Sequence, residues 1–471
     1  MADRYCTPLD ITQIERNFAE INPALTAAEA MHEANRCLYC FDAPCMRACP
    51  THIDVPGFIK KIASQNLMGS ARVIFDANPI GATCARVCPV DVLCEGACVE
   101  NTLLQKPIEI GRLQRYATDH ALSNGRQVYS RGEASGKSIG IIGSGPAGLS
   151  CATYLSRLGH DVTVYERREL PGGLDTYGMA EYKMPQAVSL SEVEHVAAMG
   201  VTFLTKTEIV GEDQAPADGA DGITQLSFSS LLNNHDALFL GAGLGVTNRL
   251  NIPGEDLEGV FDALHFIHHI KSRRWRDVPL GKTVCVIGAG NTAVDAVTQA
   301  KRLGAARVIM VYRRSETDAP AYEYEMELAK KDGIEFSWQS APVGILSDDG
   351  EHVAGLRCER TDGSLELFDI QCDMVIKAVG QTKMSGFFSS VVGVETDDKG
   401  RVKVNDKMQT SNPRVFAGGD CVNGGAEAVD ASQMGKLAAM GIHESLTGER
   451  VEFAGAILRE PPKAPVDPNP H

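Results

Sequence analysis

Eight cysteines lie between residues 37 and 98 in two groups. The first reads Cys37-Leu-Tyr-Cys40-Phe-Asp-Ala-Pro-Cys45-Met-Arg-Ala-Cys49-Pro50. The second reads Cys84-Ala-Arg-Val-Cys88-Pro89, then Cys94-Glu-Gly-Ala-Cys98. Thiolates at such short spacings, with proline directly after Cys49 and Cys88, are what cubane iron–sulfur clusters use. Two other chemistries fit less well. A disulfide framework belongs to small secreted domains. This chain has 471 residues, and its start, Met-Ala-Asp-Arg-Tyr-Cys, has neither the basic nor the apolar part of a signal peptide. Structural zinc wants paired C-x2-C knuckles, and only Cys37/Cys40 has that spacing. The wider gaps of the second group suit a cubane better. Cys6, Cys151, Cys285, Cys358, Cys372 and Cys421 are scattered and read as buried small apolar residues.

Two nucleotide signatures follow the cysteines. Gly143-Ser-Gly145-Pro146-Ala147-Gly148 is G-x-G-x-x-G after an apolar run. Gly143 serves the tight turn, Gly145 lets backbone approach a pyrophosphate, and Gly148 lets helix pack on strand. The helix start then offers unpaired N–H groups to phosphate, and Glu166 stands where an acid binds a ribose hydroxyl. Phe416-Ala-Gly-Gly419-Asp420 places a late acid where flavoproteins hold a ribityl chain, and Pro171-Gly172-Gly173-Leu174 suits a loop against flavin, so this site is assigned to FAD. The second signature, Gly288-Ala-Gly290-Asn291-Thr292-Ala293, is G-x-G-x-x-A. Its following strand ends in Tyr312-Arg313-Arg314, and two arginines there suit the 2′-phosphate of NADP, unless they face solvent or pair with Glu316. This domain has no C-x-x-C pair, which argues against a disulfide relay.

Elements must position these groups. Thr26-Ala-Ala-Glu29 is a capping box and should open a helix to about Asn35. Asp54 to Ala77 reads as helical, with Val55, Phe58, Ile59 and Ile62 at helical spacing, until Asn78-Pro79-Ile80-Gly81 breaks it. Ile108 to Leu122 is helical again and carries Gln114. Strands are expected at Ser138–Ile142, Asp161–Tyr165, Thr283–Ile287, Val308–Tyr312, Met374–Val379 and Arg414–Phe416. The expected fold is α/β: an N-terminal helical iron–sulfur domain (1–122), a polar linker (123–136), then two nested Rossmann-like domains. FAD takes 137–250 and 378–448, and NAD(P) takes 251–377, with a Pro-rich tail at 449–471. The formal charge of −16 argues against a nucleic-acid partner, and no apolar run approaches a membrane span. A reducing, cytoplasmic setting is expected. His52, His265, His268 and His269 lack a carboxylate cluster and read as ordinary helix or loop residues, and Trp275 and Trp338 read as packing.

A nicotinamide gives two electrons as hydride, flavin takes the pair and can release them singly, and a cubane carries one at a time. After residue 450 no domain is expected to hold a substrate, so electrons should leave for another protein.

Nearly the whole chain resembles the N-terminal half of the dihydropyrimidine dehydrogenase family and, more widely, the small subunit of glutamate synthase. The resemblance rests on Cys37-Leu-Tyr-Cys40-Phe-Asp-Ala-Pro-Cys45, on Asn78-Pro79-Ile80-Gly81-Ala-Thr-Cys84, and on Ile110-Gly111-Arg112-Leu113-Gln114-Arg115-Tyr116. The five-residue gap between Cys88 and Cys94, and Gln114, favour the dehydrogenase. It implies one 4Fe–4S cluster on Cys37, Cys40, Cys45 and Cys98, and another on Cys49, Cys88, Cys94 and Gln114, with Cys84 a bystander. Ligand chemistry alone would choose Cys84, because a neutral amide binds iron less well than a thiolate. The resemblance also implies FAD contacts at Glu166, Leu174, Lys183 (often arginine in the family) and Asp420. For the nicotinamide it implies Gly290, Asn291, Thr292, Arg313, Arg314 and the Ala378-Val379-Gly380 turn. A family arginine is replaced near Pro320, and the bacterial two-subunit branch is NAD-linked, so NAD(H) is expected, with NADP the alternative. The implied activity is electron input from NADH through FAD and two clusters to a PreA-like FMN/iron–sulfur catalytic subunit. Uracil and thymine would be reduced to 5,6-dihydropyrimidines on that partner, with no catalytic proton donor on this chain. The rival readings are an input subunit for another reductase, such as a glutamate synthase or a ferredoxin-coupled transhydrogenase, and a non-catalytic subunit with clusters as staples.

Overall fold

The structure is a computed structural model that describes residues 8–212 and 222–454. Cys6 and the tail from residue 455 lie outside the described residues. Two compact units emerge. One comprises the described parts of Met1–Ile21, Leu174–Gln186 and Gly245–Thr382, and the other those of Asn22–Gly173, Ala187–Leu244 and Lys383–His471.

The larger unit begins with short helices. Thr26 caps Ala27–Ala34 and both halves of its capping box are formed. The stretch expected as one helix over 54–77 is two, Val55–Ala63 and Leu67–Ala77. Asp54 accepts from Gly57 N at 2.9 Å, and Asn66 does the same for Gly69 N at 2.9 Å. Between them Gln65 turns left-handed at φ 61°. A side chain that bonds its own backbone competes with helix continuation, so the second cap ends the first helix. Both helices bury apolar faces (Phe58, Ile59, Ile62 and Ile74) against Leu113 and Ala117 of the helix Ile110–Ser123.

The first nucleotide sheet follows. Its five parallel strands run in the order Val415–Ala417, Ala237–Leu240, Ser138–Ile142, Asp161–Tyr165, Thr202–Leu204. The helix Pro146–Arg157 packs on the sheet, and the 20-residue helix Ala428–Thr447 packs on that helix. Gly435 permits the close approach, since a Cβ there would sit 2.2 Å from Ala147 O. Polar contacts dock the helix Leu67–Ala77 on this domain. Tyr154 Oη donates to Asp76 O at 2.9 Å, and Arg157 pairs with Asp76 at 2.5 Å.

The smaller unit holds a second parallel sheet, in the order Glu335–Ser337, Arg307–Val311, Thr283–Ile287, Met374–Lys377, Val260–Asp262. A three-stranded antiparallel meander, Ser340–Leu346, Gly355–Arg360 and Leu367–Gln371, adjoins it. Residues 8–21 and the segment Leu174–Gln186 pack in this unit, because Ile14, Phe18 and Tyr182 complete its apolar core.

Candidate functional site

Cys37, Cys40, Cys45 and Cys98 line one hollow, walled otherwise by apolar residues such as Val55, Ile59 and Ile110. The short helix Pro44–Ala48 carries Cys45 and ends at Cys49, and Cys98 is the N-cap of Val99–Leu104. Burial pushes the Cys45 thiol up to about 12, and thiolates at Cys98 and Cys37 add to the rise. Cys37 is raised by burial in the same way. In the second group, Cys88 is raised first by its hydrogen bond with Cys84, then by burial and by thiolates at Cys49 and Cys94. Cys94 is raised by burial and then by Cys49. Each ionised thiol makes the next harder to ionise. A cationic metal core removes that conflict, because ligand thiols give up their protons on binding. Among the described residues no three His, Cys, Asp or Glu side chains converge on a point to hold a single ion. Cys37, Cys40, Cys45 and Cys98 instead share the lining of one hollow, as the ligands of a cubane would.

Gln114 is buried, and its Nε2 donates to Gly81 O at 2.7 Å. That bond fixes the amide and leaves its oxygen, the Lewis-basic atom, as what it can offer a metal. Cys84 is also buried, among Ile80, Leu149, Val193 and Val429. His265 and His269 face each other at 3.1 Å across one turn of the helix Ala263–Lys271, while Trp275 stacks on Phe18 and Trp338 on Phe336.

At the first nucleotide site the strand Ser138–Ile142 turns at Gly143 (φ 95°), where a Cβ would lie 2.4 Å from Gly241 O. A Cβ on Gly148 would lie 2.0 Å from Gly143 O, so helix and strand touch there. Gly145 differs. It caps the helix in extended backbone, followed by Pro146 at N1, and a Cβ on it would meet nothing nearer than Gly173 Cα at 3.9 Å. The space before the helix N-terminus is therefore open, as a pyrophosphate cradle requires. Glu166 accepts from Ser144 N at 3.1 Å and Oγ at 2.5 Å with one oxygen, and from Arg168 N at 2.9 Å with the other. Gly419 (φ 78°) approaches Ala147, and Asp420 starts the next helix. Burial pushes the Asp420 carboxyl up, opposed by the Ala426 N–H. These residues fit FAD.

Lys183 and Leu174 lie in the other unit. The Lys183 ammonium binds Asp295 Oδ1 and Glu325 Oε2, each at 2.5 Å. Asp295 belongs to a row of side chains along one face of the helix Asn291–Leu303. Asp295 accepts from Ala180 N, Thr298 bonds the Tyr182 hydroxyl, Gln299 accepts from Glu181 N, and the Arg302 guanidinium lies 3.9 Å from the Tyr182 ring centroid. This row fastens the segment carrying Lys183.

At the second nucleotide site Gly288 turns at φ 128°, and a Cβ would lie 2.3 Å from Ala378 O, which brings the Ala378-Val379-Gly380 turn beside the glycine loop. Asn248 holds that turn through Gly380 O at 2.9 Å and Val379 O at 3.2 Å. Gly290 is extended and caps the helix Asn291–Leu303, with nothing nearer a Cβ than Pro320 Cγ at 3.8 Å. Asn291 accepts from Tyr322 N, and Thr292 follows it in the first turn. Arg313 and Arg314 are exposed, while Glu316 pairs with Lys330 at 3.0 Å.

Sequence reasoning missed Glu192, which accepts from Ala82 N, Thr83 N and the Thr83 hydroxyl and so caps the helix bearing Cys84. It also missed Lys436, buried near Cys49. A lone charge inside a helical pattern gives no sequence signal of a distant partner; only its position on an apolar face could have marked Lys436.

Residues 137–435 match the family described as pyridine nucleotide-disulphide oxidoreductase, and residues 14–126 match dihydropyrimidine dehydrogenase domain II, 4Fe-4S cluster. The chain is 34% identical to the glutamate synthase [NADPH] small chain of Escherichia coli (strain K12), over 92% of this chain and 95% of the relative. It is 33% identical to the NAD-dependent dihydropyrimidine dehydrogenase subunit PreT of the same organism, over 91% and 97%. Among solved structures it is similar to thioredoxin reductase of T. acidophilum (TM-score 0.52, 20% identity, 66% of this chain and 99% of that one). It is also similar to FprA of Mycobacterium tuberculosis in complex with NADPH (TM-score 0.53, 18%, 66% and 85%). Identities this low speak for the fold alone. Among the described residues no helix is long and apolar enough to cross a membrane.

Proposed function

The chain belongs to the pyridine nucleotide-disulphide oxidoreductases that carry an N-terminal 4Fe-4S domain, together with glutamate synthase small chains and PreT, and we propose that it is the electron-input subunit of a dihydropyrimidine dehydrogenase. It is an oxidoreductase that uses FAD, a nicotinamide nucleotide and 4Fe-4S chemistry. The observation that carries the reading is the hollow ringed by Cys37, Cys40, Cys45 and Cys98, in the same unit as the open cradle at Gly145. When bound, these groups supply hydride transfer, a two-to-one electron conversion and single-electron relay. The residues bind and orient. Gly145 and the start of Pro146–Arg157 would hold the FAD pyrophosphate, Glu166 a ribose and Asp420 the ribityl chain. Gly290, Asn291 and the Ala378–Gly380 turn would hold the nicotinamide nucleotide. The partner is an FMN/iron–sulfur subunit resembling PreA, and pyrimidine reduction takes place there, in the cytoplasm. NADH is the expected donor. The exposed Arg313 and Arg314, unclaimed by Glu316, favour NADPH as a second reading.

Anaerobic titration of the isolated chain with NADH and then NADPH, followed by visible absorbance and EPR, tests this. Flavin bleaching followed by cluster signals is expected, and flavin that stays oxidised under both nucleotides overturns it. With an FMN-barrel partner, uracil-dependent NADH oxidation is expected. Oxidation that instead needs glutamine, 2-oxoglutarate and a large amidotransferase partner would replace the pyrimidine assignment.

The eighth ligand can be separated from its neighbour. Gln114→Ala is expected to remove or spectrally alter the second cluster, while Cys84→Ala leaves iron content and EPR signals as they are. The reverse pattern would make Cys84 the ligand.

A further inference from the structure

The helix Ala428–Thr447 turns Ser432 and Lys436, one turn apart on one face, toward Asn78 and Thr51 of the cysteine-rich segment. Ser432 Oγ donates to Asn78 Oδ1 at 2.8 Å. Lys436 is wholly buried, at 0% exposure. Its Nζ donates to Thr51 O at 3.1 Å and Ala454 O at 3.0 Å. Thr51 is two residues beyond Cys49, and its hydroxyl lies 3.4 Å from Cys49 Sγ.

Both acceptors of the ammonium are neutral carbonyls. Among the described residues the acid whose field reaches it is Asp76, and Asp76 is already paired with Arg157. A buried charge without a counter-charge is costly. Burial pushes Lys436 down to about 7, and a thiolate at Cys49 pulls it back up. Asp76 being taken, an anion on the Cys49 side is what would hold the ammonium charged. A 4Fe-4S core held by thiolates carries net negative charge, and net charge is one of the levers that set its potential.

We propose that Lys436 is the buried counter-charge of the cluster bound through Cys49 and raises that cluster's reduction potential. The inference rests on the assignment of Cys49 as a ligand. Lys436 acts through the field of its ammonium in a low-dielectric surrounding and is a positioning residue for charge rather than a ligand.

The test is EPR-monitored potentiometric titration of the full-length holoprotein as wild type, K436M, K436Q and K436R. In both neutral variants one cluster signal is expected to move to lower potential, while the other cluster and the flavin hold. K436R should match wild type. K436Q keeps a donor for the two carbonyls and carries the test if K436M does not fold. Loss of only the Cys49-side signal in both neutral variants, with K436R intact, would show the same need for charge. Unchanged potentials in K436Q with full FAD and iron overturn the proposal, as does a K436R shift equal to that of K436Q. Wild-type protein with iron for a single cluster would overturn the ligand assignment itself, and the proposal with it, before any variant is read.

Discussion

Gly290→Ala is expected to leave FAD bound and to slow its reduction by either nicotinamide nucleotide on the order of 100-fold, the scale set by a misplacement of about 1 Å at a reacting centre. The position makes this a clean test. Its backbone is extended (φ −89°, ψ 176°), which alanine adopts without strain, and a Cβ there meets nothing nearer than 3.8 Å. The fold should barely respond. The added methyl instead enters the space before the helix Asn291–Leu303, where backbone must approach a phosphate. Dithionite should still bleach the flavin at the wild-type rate. Gly145→Ala is the counterpart at the first site, where φ is −69° and the nearest atom lies 3.9 Å away. That variant should purify with little or no FAD yet keep its iron. Wild-type NAD(P)H reduction in Gly290→Ala, or full flavin in Gly145→Ala, would reverse the assignment of the two sites. Gly143 and Gly148 are poor choices for the same test, because a Cβ at either would strike backbone.

Cys45→Ser is expected to halve the iron, from about eight to about four per FAD, and to cut electron delivery to one-electron acceptors at least about tenfold. Serine is a close steric match, so the helix Pro44–Ala48 should persist. Its hydroxyl, however, is a hard donor that does not replace a soft thiolate. Flavin reduction by NAD(P)H should survive, because the nucleotide sites are built from other residues. Iron content, sulfide content and EPR together check the outcome. Undiminished iron would mean that the hollow lined by Cys45 is not a cluster site.

Much of the architecture was readable from the chain. Ser138–Ile142, Asp161–Tyr165 and Thr283–Ile287 stand where the apolar runs and glycine turns placed them. Such buried parallel strands are short, continuous and sharply bounded. The helix break at Asn66 was missed because apolar periodicity runs on either side of it, although Asn66 and Gly69 carried a cap signal. Strands such as Leu367–Gln371 alternate exposed and half-buried residues and were hidden by their polarity. The four residues of the hollow could be grouped only through the resemblance, since spacing alone does not say that Cys98 returns to Cys45. Lys183 shows the opposite limit. A motif position names a residue but not its partners, and Asp295 and Glu325 lie more than a hundred residues downstream in sequence.

The hollow draws Cys98 from far along the chain, so the two cysteine sets that the resemblance implies interleave. A contiguous fragment that spans Cys37 to Cys98 necessarily carries Cys49, Cys88 and Cys94 as well. Modular grafting must therefore treat this redox head as indivisible: it can be transplanted or lost as a block, but it cannot be pared to a one-centre module by trimming either end.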